Sequence, residues 1–233
     1  MTEQPIDKSS QHRKRRLNLL VISSITSGIF LIIVAFIYVL WFSTGRQEVR
    51  GPAIVTSGEY TGTVYDPPTE IDDFALPTTT GTEMSLSDFR ERYVLLFFGY
   101  TNCPDVCPTT LAEFRQVKEM LGEKADQVTF IFISVDGPRD TPEVIAEYIG
   151  RFDAEFIGMS GIDEILRGID EQFGLYYEPL VENATDGYYL VNHTSRSFLI
   201  GPQGQLRMSF SYGTDAEIIS NGIRRLMQQD GRL

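Results

Sequence analysis

The sequence predicts an α/β domain in which a mixed central sheet carries helices on both of its faces. Two apolar runs of strand length, residues 93–98 and 128–135, contain no charged side chain, as is typical of buried strands. Each run is followed by a segment in which apolar residues recur with helical spacing. Near the C-terminus, two further strand-like segments flank a short turn, and another helix follows them.

Short elements are predicted before the first buried strand. Residues 61–65 and 73–76 favour strands, each of which ends before prolines that cannot donate to a sheet ladder. Gly81 and Thr82 mark a turn. Residues 85–90 favour a short helix, which leads into the strand at 93–98.

The middle of the chain alternates between helices and strands. A helix is predicted over residues 108–121, and the next begins at Thr141 and Pro142, which suit the cap and the first helical position. That helix runs to about residue 152, and a short strand follows at 156–159.

The last third of the domain contains two predicted helices and a hairpin. Residues 160–163 suit the start of a helix that ends before Gly174. Strands at 197–200 and 205–210 flank a turn that contains two glycines. Residues 214–217 match a capping box, which predicts a final helix to about residue 228.

Residues 17–42 form an uncharged apolar stretch that ends in aromatic residues. A helix needs about 20 apolar residues to cross the hydrocarbon layer of a bilayer, so this stretch is long enough. It is too long for the apolar region of a cleaved signal peptide. The sequence therefore predicts a retained transmembrane anchor.

A basic cluster at residues 13–16 directly precedes this stretch, and basic residues stay on the cytoplasmic side. We therefore predict a cytoplasmic tail at 1–16, a linker at 43–60, and a domain at 61–233 outside a bacterial plasma membrane. Residues 43–233 carry 15 Lys and Arg against 30 Asp and Glu, a net charge of −15. Such acidity argues against a nucleic-acid partner.

Cys103 and Cys107 are the two cysteines of the chain, and they follow the first buried strand. A structural disulfide would close a short loop and stabilise the fold by only about 2 kcal/mol, which argues for a functional pair. A helix that starts beside these thiols would lower the pKa of a thiol and so favour the thiolate. Thiolates serve both metal binding and thiol–disulfide exchange, and the spacing alone does not decide between them.

His193 is the candidate third ligand, because His12 precedes the anchor and lies on the opposite side of the membrane. A structural zinc site would need four ligands. Two thiolates and one imidazole suit Cu(I), which accepts soft donors, and oxidation to Cu(II) could add an oxygen ligand that the sequence does not identify.

Three ordered blocks of the sequence resemble the Sco/SenC family of membrane-anchored copper proteins. The blocks are residues 99–109, which read GYTNCPDVCPT, residues 133–142, which read ISVDGPRDTP, and residues 191–204, which begin VNHT and end LIGPQG. The resemblance covers roughly residues 60–230. Gly137 and Asn192 depart from the residues that are usual in the family, but neither departure removes a ligand.

The resemblance implies a thioredoxin-like fold, with Cys103, Cys107 and His193 as copper ligands. It also implies a role in assembling the binuclear copper (CuA) site of cytochrome c oxidase subunit II, by copper delivery, by reduction of the target cysteines, or by both. An unidentified upstream protein would supply the copper. Asp136 matches an acidic position of the second block and is a candidate to orient the site from its outer shell.

Two other functions remain open at the level of sequence. An extracytoplasmic thiol–disulfide oxidoreductase without stored metal would use Cys103 and Cys107 as its redox pair. A peroxidase of thioredoxin-like fold would need an environment that activates peroxide around one thiolate, and the sequence offers no arginine that can be assigned to it. Metal transfer would be ligand exchange rather than enzymatic turnover, so the enzyme class stays undecided.

Overall fold

The structure is a computed structural model that describes residues 33–38, 53–55, 62–184 and 188–233. Residues 33–38 are helical; the rest of the predicted anchor (17–42) and the predicted tail (1–16) lie outside the described residues. Within the described ranges, no helix combines the length and the apolar character that crossing a bilayer requires.

The strands are numbered β1 to β11 in chain order, and the helices α1 to α4. The strands are β1 (Ala53–Val55), β2 (Gly62–Glu70), β3 (Ala75–Pro77), β4 (Glu83–Ser85), β5 (Tyr93–Gly99), β6 (Val128–Ser134), β7 (Ile157–Ser160), β8 (Tyr177–Pro179), β9 (Val191–His193), β10 (Arg196–Ile200) and β11 (Gln205–Ser211). The helices are α1 (Val106–Leu121), α2 (Pro142–Gly150), α3 (Asp163–Phe173) and α4 (Ala216–Gln229). Short 3-10 helices lie at Leu86–Phe89, Gly122–Gln127 and Val181–Asn183.

The central sheet is mixed, as predicted, and its strand order is β1-β2-β11-β10-β5-β6-β7. Strands β5, β6 and β7 run parallel, whereas β10 and β11 run antiparallel to their neighbours. Every residue of β5 and β6 is buried, which explains why both strands read as continuous apolar runs. Two smaller antiparallel pairs, β3–β4 and β8–β9, lie outside this sheet.

One face of the central sheet carries α1, α2 and α4. Phe97 and Phe132 are register partners, so their side chains share this face, where Phe132 contacts Tyr148 of α2. Phe114 of α1 contacts Phe130 on the same face. Helix α4 packs against α1.

The opposite face carries α3. Phe173, the last residue of α3, contacts Phe98 of β5 and Phe198 of β10, with ring centroids 5.3 and 5.2 Å away. The helix then ends at Gly174, which adopts a left-handed conformation with φ of 58°. Helices therefore cover both faces, as the sequence predicts.

The prediction that prolines end the first strand of the domain is wrong. Strand β2 continues through Pro67 and Pro68, and its other edge pairs with β1, which lies within the predicted linker. The β2–β11 ladder is irregular between Val64 and Thr69, and the prolines lie in that stretch. Proline has no backbone N–H to donate, and a bulged segment tolerates it because the ladder does not require that donor there.

The helices begin close to the predicted positions, but only some of the predicted capping residues cap them. Thr141 caps α2, since its hydroxyl accepts a hydrogen bond from the Val144 amide. The predicted caps of α3 and α4 are wrong, because the N-cap residues are Ile162 and Asp215 rather than Ser160 and Thr214, whose hydroxyls donate to carbonyls of preceding residues. Ser and Thr hydroxyls compete in this way for nearby backbone groups.

The outer edge of β7 is partly covered by the connection between β3 and β4. The Thr79 amide donates to the Gly158 carbonyl at 3.0 Å, and Thr78 forms an antiparallel bridge with Met159. Thr78 is itself buried. This segment therefore occupies backbone groups that an edge strand would otherwise expose.

We expect Phe198→Ala to reduce the free energy of unfolding by about 3–5 kcal/mol, because it removes a buried ring from the Phe98, Phe173 and Phe198 cluster and leaves a cavity. Urea denaturation followed by circular dichroism measures this change. Leu233→Ala is the control, since Leu233 is exposed and its loss should change stability by less than about 0.5 kcal/mol. Equal stability of the two variants would contradict this account of the core.

Candidate metal and thiol site

The site lies at one edge of the central sheet, where three segments meet. Strands β5 and β6 are parallel, so the loops that follow them leave from the same edge. The loop after β5 carries Cys103 and leads into α1, the first turn of which contains Cys107. Strand β9 ends at His193, close to the start of β10. Because β10 pairs antiparallel with β5, its first residues lie at this same edge.

The structure brings together the three side chains that the sequence predicts as ligands. One donor atom from each of Cys103, Cys107 and His193 lies within 4.8 Å of the other two. The Cys107 Sγ to His193 Nε2 distance is 3.6 Å. Within the part of the chain that the structure describes, no fourth His, Cys, Asp or Glu joins this group. Both cysteines are free thiols.

The environments of the two sulfurs differ. Cys103 is half-buried, and the Cys107 amide, in the first turn of α1, donates to its Sγ at 3.4 Å. A hydrogen bond from the Cys107 thiol and hydrogen bonds from backbone amides lower the pKa of Cys103 to about 3, although its partial burial opposes this. This agrees with the prediction that a helix start favours the thiolate.

Cys107 is fully buried. Burial raises the pKa of its thiol, and the hydrogen bond to Cys103 raises it further, so Cys107 keeps the proton that it shares with Cys103. Its sulfur lies against Gly99, where a Cβ atom would come within 2.9 Å of Cys107 Sγ. A residue without a side chain at the end of β5 is therefore required for this approach.

The His193 ring is oriented by its backbone and by two aromatic rings. Its Nδ1 lies 3.1 Å from the Thr194 carbonyl, so a neutral ring with the proton on Nδ1 donates there. That tautomer leaves the Nε2 lone pair facing Cys107, as a metal ligand requires. The rings of Phe97 and Tyr100 lie edge-on to the imidazole, at centroid distances of 5.9 and 5.7 Å.

Asp136, the outer-shell candidate from sequence, is completely buried just after β6. Its carboxylate accepts hydrogen bonds from Arg139 and from the Tyr189 hydroxyl. Tyr189 belongs to the segment that leads into β9, so Asp136 contacts the site through the chain that carries His193.

Asp140 contacts the loop that carries Cys103, and sequence reasoning missed it. Its buried carboxylate accepts from the Thr101 amide at 2.9 Å, from the Thr101 hydroxyl at 2.6 Å and from the Ser134 hydroxyl at 2.6 Å. Burial raises the pKa of this carboxyl, while these hydrogen bonds oppose that shift. Asp140 thereby ties the cysteine loop to the end of β6.

Sequence reasoning also missed Tyr100, although the sequence shows that it directly follows the first buried strand. It is buried beside the site, and its ring lies edge-on to the imidazole of His193. Burial raises the pKa of Tyr100 to about 12, so the phenol stays protonated. In sequence, only its position beside the cysteine loop distinguished it from other aromatic residues.

Known proteins match most of this domain. The SCO1/SenC family model matches residues 63–228. The human "Protein SCO1 homolog, mitochondrial" is 36% identical over 134 residues, which are 57% of this chain and 44% of the human protein. A "putative copper-binding protein" of Stutzerimonas stutzeri is 36% identical over 146 residues, covering 62% of this chain and 69% of that protein.

Solved structures show the same architecture. The solution structure of apo Sco1 from Thermus thermophilus is 38% identical, with a TM-score of 0.63 over 73% of this chain and 99% of that one. The structure of Bradyrhizobium japonicum ScoI with copper bound is 32% identical, with a TM-score of 0.61 over 67% of this chain and 99% of that one. The expected thioredoxin-like fold is therefore confirmed.

We expect Gly99→Ala to displace the Cys107 sulfur, because the added methyl group would lie 2.9 Å from Cys107 Sγ and 2.9 Å from the Phe132 ring. Overpacking of this kind costs about 1–3 kcal/mol, which urea denaturation measures. Alkylation of Cys107 should also become faster. Gly150→Ala is the control, since a Cβ there meets nothing within 4 Å. Unchanged stability together with unchanged protection of Cys107 would contradict the predicted clash.

We expect Cys103 in the reduced, metal-free protein to react with iodoacetamide at a rate that is nearly constant from about pH 5 to about pH 8. Its lowered pKa keeps it a thiolate across this range, whereas the rate of an ordinary thiol, with a pKa near 8.5, falls with each unit of acidification. Cys107→Ala removes the hydrogen bond that contributes most to this shift and should restore a pH-dependent rate. A parent rate that falls about tenfold per unit below pH 8 would refute the assignment.

Proposed function

This chain belongs to the SCO1/SenC family, and on that basis we propose that it is a copper-binding protein that helps to assemble the CuA site of cytochrome c oxidase. Cys103, Cys107 and His193 would hold one copper ion, and subunit II of the oxidase would receive copper, reducing equivalents, or both. The observation that carries the proposal is the convergence of two sulfurs and one imidazole nitrogen within 4.8 Å.

The donor set suits copper better than zinc. Two thiolates and one imidazole form a soft site with three members, and Cu(I) accepts such low coordination. Structural zinc sites take four protein ligands, and the described residues supply only three to this group. Edge-on rings at Phe97 and Tyr100 limit the movement of the imidazole, so the donors are largely pre-arranged.

The different exposure of the two cysteines suggests how cargo would leave. Cys103 is half-buried and can be reached by an entering thiolate from a partner, whereas Cys107 is fully buried. Exchange would therefore begin with replacement of Cys103 by a partner thiolate, while Cys107 and His193 retain the ion. The cargo keeps its charge throughout, because only ligands are exchanged.

We propose that residues 17–42 anchor the chain in a bacterial plasma membrane, with residues 1–16 in the cytoplasm and the domain at 61–233 on the outer side. The net charge of −15 over residues 43–233 suits cationic cargo and basic partners. An upstream copper donor must exist in the same compartment.

A thiol–disulfide oxidoreductase is the second candidate, and the unequal pKa values of the two cysteines favour it. The Cys103 thiolate would attack a partner disulfide, forming a mixed disulfide and releasing one partner thiolate. Cys107, once deprotonated, would then attack the Cys103 sulfur and release the second partner thiolate. The partner gains two electrons, and this chain is left with a Cys103–Cys107 disulfide.

We expect the reduced full-length protein to bind one Cu(I) per chain in an anaerobic titration against a competing chelator. Cys103→Ser and Cys107→Ser should abolish tight binding, because each removes a thiolate donor. His193→Ala should weaken binding, whereas His12→Ala is the control and should bind as the parent does, since His12 lies in the N-terminal tail. Unchanged affinity in both serine variants would refute copper binding at this site.

The same variants separate the two candidate functions. Oxidoreductase chemistry without stored metal needs no imidazole donor, so a His193→Ala protein would then support oxidase assembly in cells as well as the parent. A Cys107→Ser protein would accumulate a mixed disulfide through Cys103. Loss of oxidase assembly in the His193→Ala strain, without such an adduct, would instead support copper delivery.

A further inference from the structure

A charged and aromatic cluster beside the site joins the turn after β6 to the segment before β9. Asp136 and Arg139 form an ion pair in which Arg139 Nε donates to Asp136 Oδ2 at 2.5 Å, while Nη2 lies 2.5 Å from the same oxygen but makes no hydrogen bond within the described residues. The Tyr189 hydroxyl donates to Asp136 Oδ1 at 2.8 Å. The Arg139 guanidinium also lies 3.4 Å from the centroid of the Tyr189 ring, and its Nη1 donates to the Tyr189 carbonyl at 2.9 Å. Arg139 therefore contacts the ring and the backbone of Tyr189, and it also contacts Asp136, which accepts a hydrogen bond from the Tyr189 hydroxyl.

This cluster is shielded from water. The Asp136 side chain is 0% exposed and the Arg139 side chain 17% exposed. Charge-assisted hydrogen bonds and cation–π contacts are stronger in such surroundings than at an open surface. The contacts of Arg139 and Asp136 with Tyr189 therefore hold this residue in a defined position. The exposed ion pair of Arg151 with Glu147 provides no comparable constraint.

The position of Tyr189 gives the cluster its relevance to the site. Tyr189 lies four residues before His193, just ahead of β9. Strand β9 pairs only with β8 in the described residues and does not enter the central sheet. On its C-terminal side the chain is fixed where β10 pairs with β5. On its N-terminal side, the contacts of Tyr189 with Arg139 and Asp136 fix it.

A second connection runs through Tyr100. Arg139 lies 5.9 Å from the centroid of the Tyr100 ring, and that ring is edge-on to the imidazole of His193. Cys103 and Cys107 are held differently, by the loop after β5 and by α1. The geometry therefore connects Arg139 more closely with the imidazole arm of the site than with its thiol arm.

We propose that Arg139 is a positioning residue that sets the placement of His193 through Tyr189, and that it has little influence on the cysteine donors. The proposal rests on the proposed copper-binding function. Removal of Arg139 would loosen the segment before β9, so His193 would spend less time facing the sulfurs. The two thiolates would remain in place.

A double-mutant cycle with Cu(I) as the probe tests this proposal. We expect Arg139→Gln to weaken Cu(I) binding by the full-length protein about 10- to 100-fold, the range typical of outer-shell residues. In the His193→Ala background the same substitution should have almost no effect, because the side chain through which it acts is gone. A purely structural role would weaken binding equally in both backgrounds, and that result would overturn the proposal.

Arg139→Gln leaves the buried carboxylate of Asp136 without its cation, which destabilises the fold by itself. A second variant avoids this effect. Tyr189→Leu keeps the Asp136–Arg139 pair but removes the ring and the hydroxyl, and we expect the same dependence on His193. Arg151→Gln is the matched control and should bind Cu(I) as the parent does in both backgrounds, since it removes only an exposed ion pair. Parent-like binding by both Arg139→Gln and Tyr189→Leu would overturn the proposal.

Amide hydrogen exchange of the metal-free protein supplies a readout that does not depend on copper. Exchange at residues 188–193 should be faster in Arg139→Gln and Tyr189→Leu, whereas exchange in β5 and α1 should match the parent. Unchanged exchange at 188–193 would overturn the proposal.

If His193→Ala binds Cu(I) as tightly as the parent, the proposed donor set fails and this proposal fails with it. If His193→Ala is weakened but Arg139→Gln is not, only the role of Arg139 is overturned.

Discussion

The antiparallel pairing of β10 with β5 is the constraint on which the site depends. It aligns Ser197 with Phe97, so the chain that leaves β5 towards the cysteines and the chain that arrives from His193 meet at one edge. A register shift of two residues would move His193 by about 7 Å relative to β5. That distance exceeds the 4.8 Å within which the three donor atoms lie. Side-chain packing fixes the register, because a slip would remove the Phe98 and Phe198 rings from their contacts with Phe173.

The short turn after β6 serves both arms of the site. Asp140 accepts from Thr101 and Ser134 and so holds the cysteine loop. Asp136 and Arg139, which precede it in the same turn, hold the segment that leads to His193. Two buried carboxylates in one turn would repel each other unless each had its own donors, and each has them here. The thiol arm and the imidazole arm are thus positioned from one place in the sequence.

Most of the fold could be predicted from sequence, because the buried strands, the periodic helices and the hairpin turn have strong local signals. The path of β2 through Pro67 and Pro68 could not, since a bulge depends on the partner strand rather than on local preference. The predicted caps at Ser160 and Thr214 failed for a related reason, because both hydroxyls have competing carbonyl acceptors in the folded chain.

The candidate site was predicted only in part. Cys103 and Cys107 are visible because their spacing and their position after a buried strand carry the signal, and His193 could be added from the order of the motif blocks. The partners of Asp136 and the role of Asp140 could not be predicted, since acidic residues in a turn are usually solvated. Only the folded chain shows which of them are buried and what they bind.

The covered edge of β7 affects whether separate copies of the domain can pair through their sheets. A long parallel strand at the margin of a sheet is a template on which a second molecule can build, and such growth ends in insoluble aggregates. Here the connection around Thr78 and Thr79 already occupies part of that template, while the opposite margin is closed by the three-residue strand β1. In the described residues, the two margins of the sheet therefore offer a second copy little free backbone with which to pair.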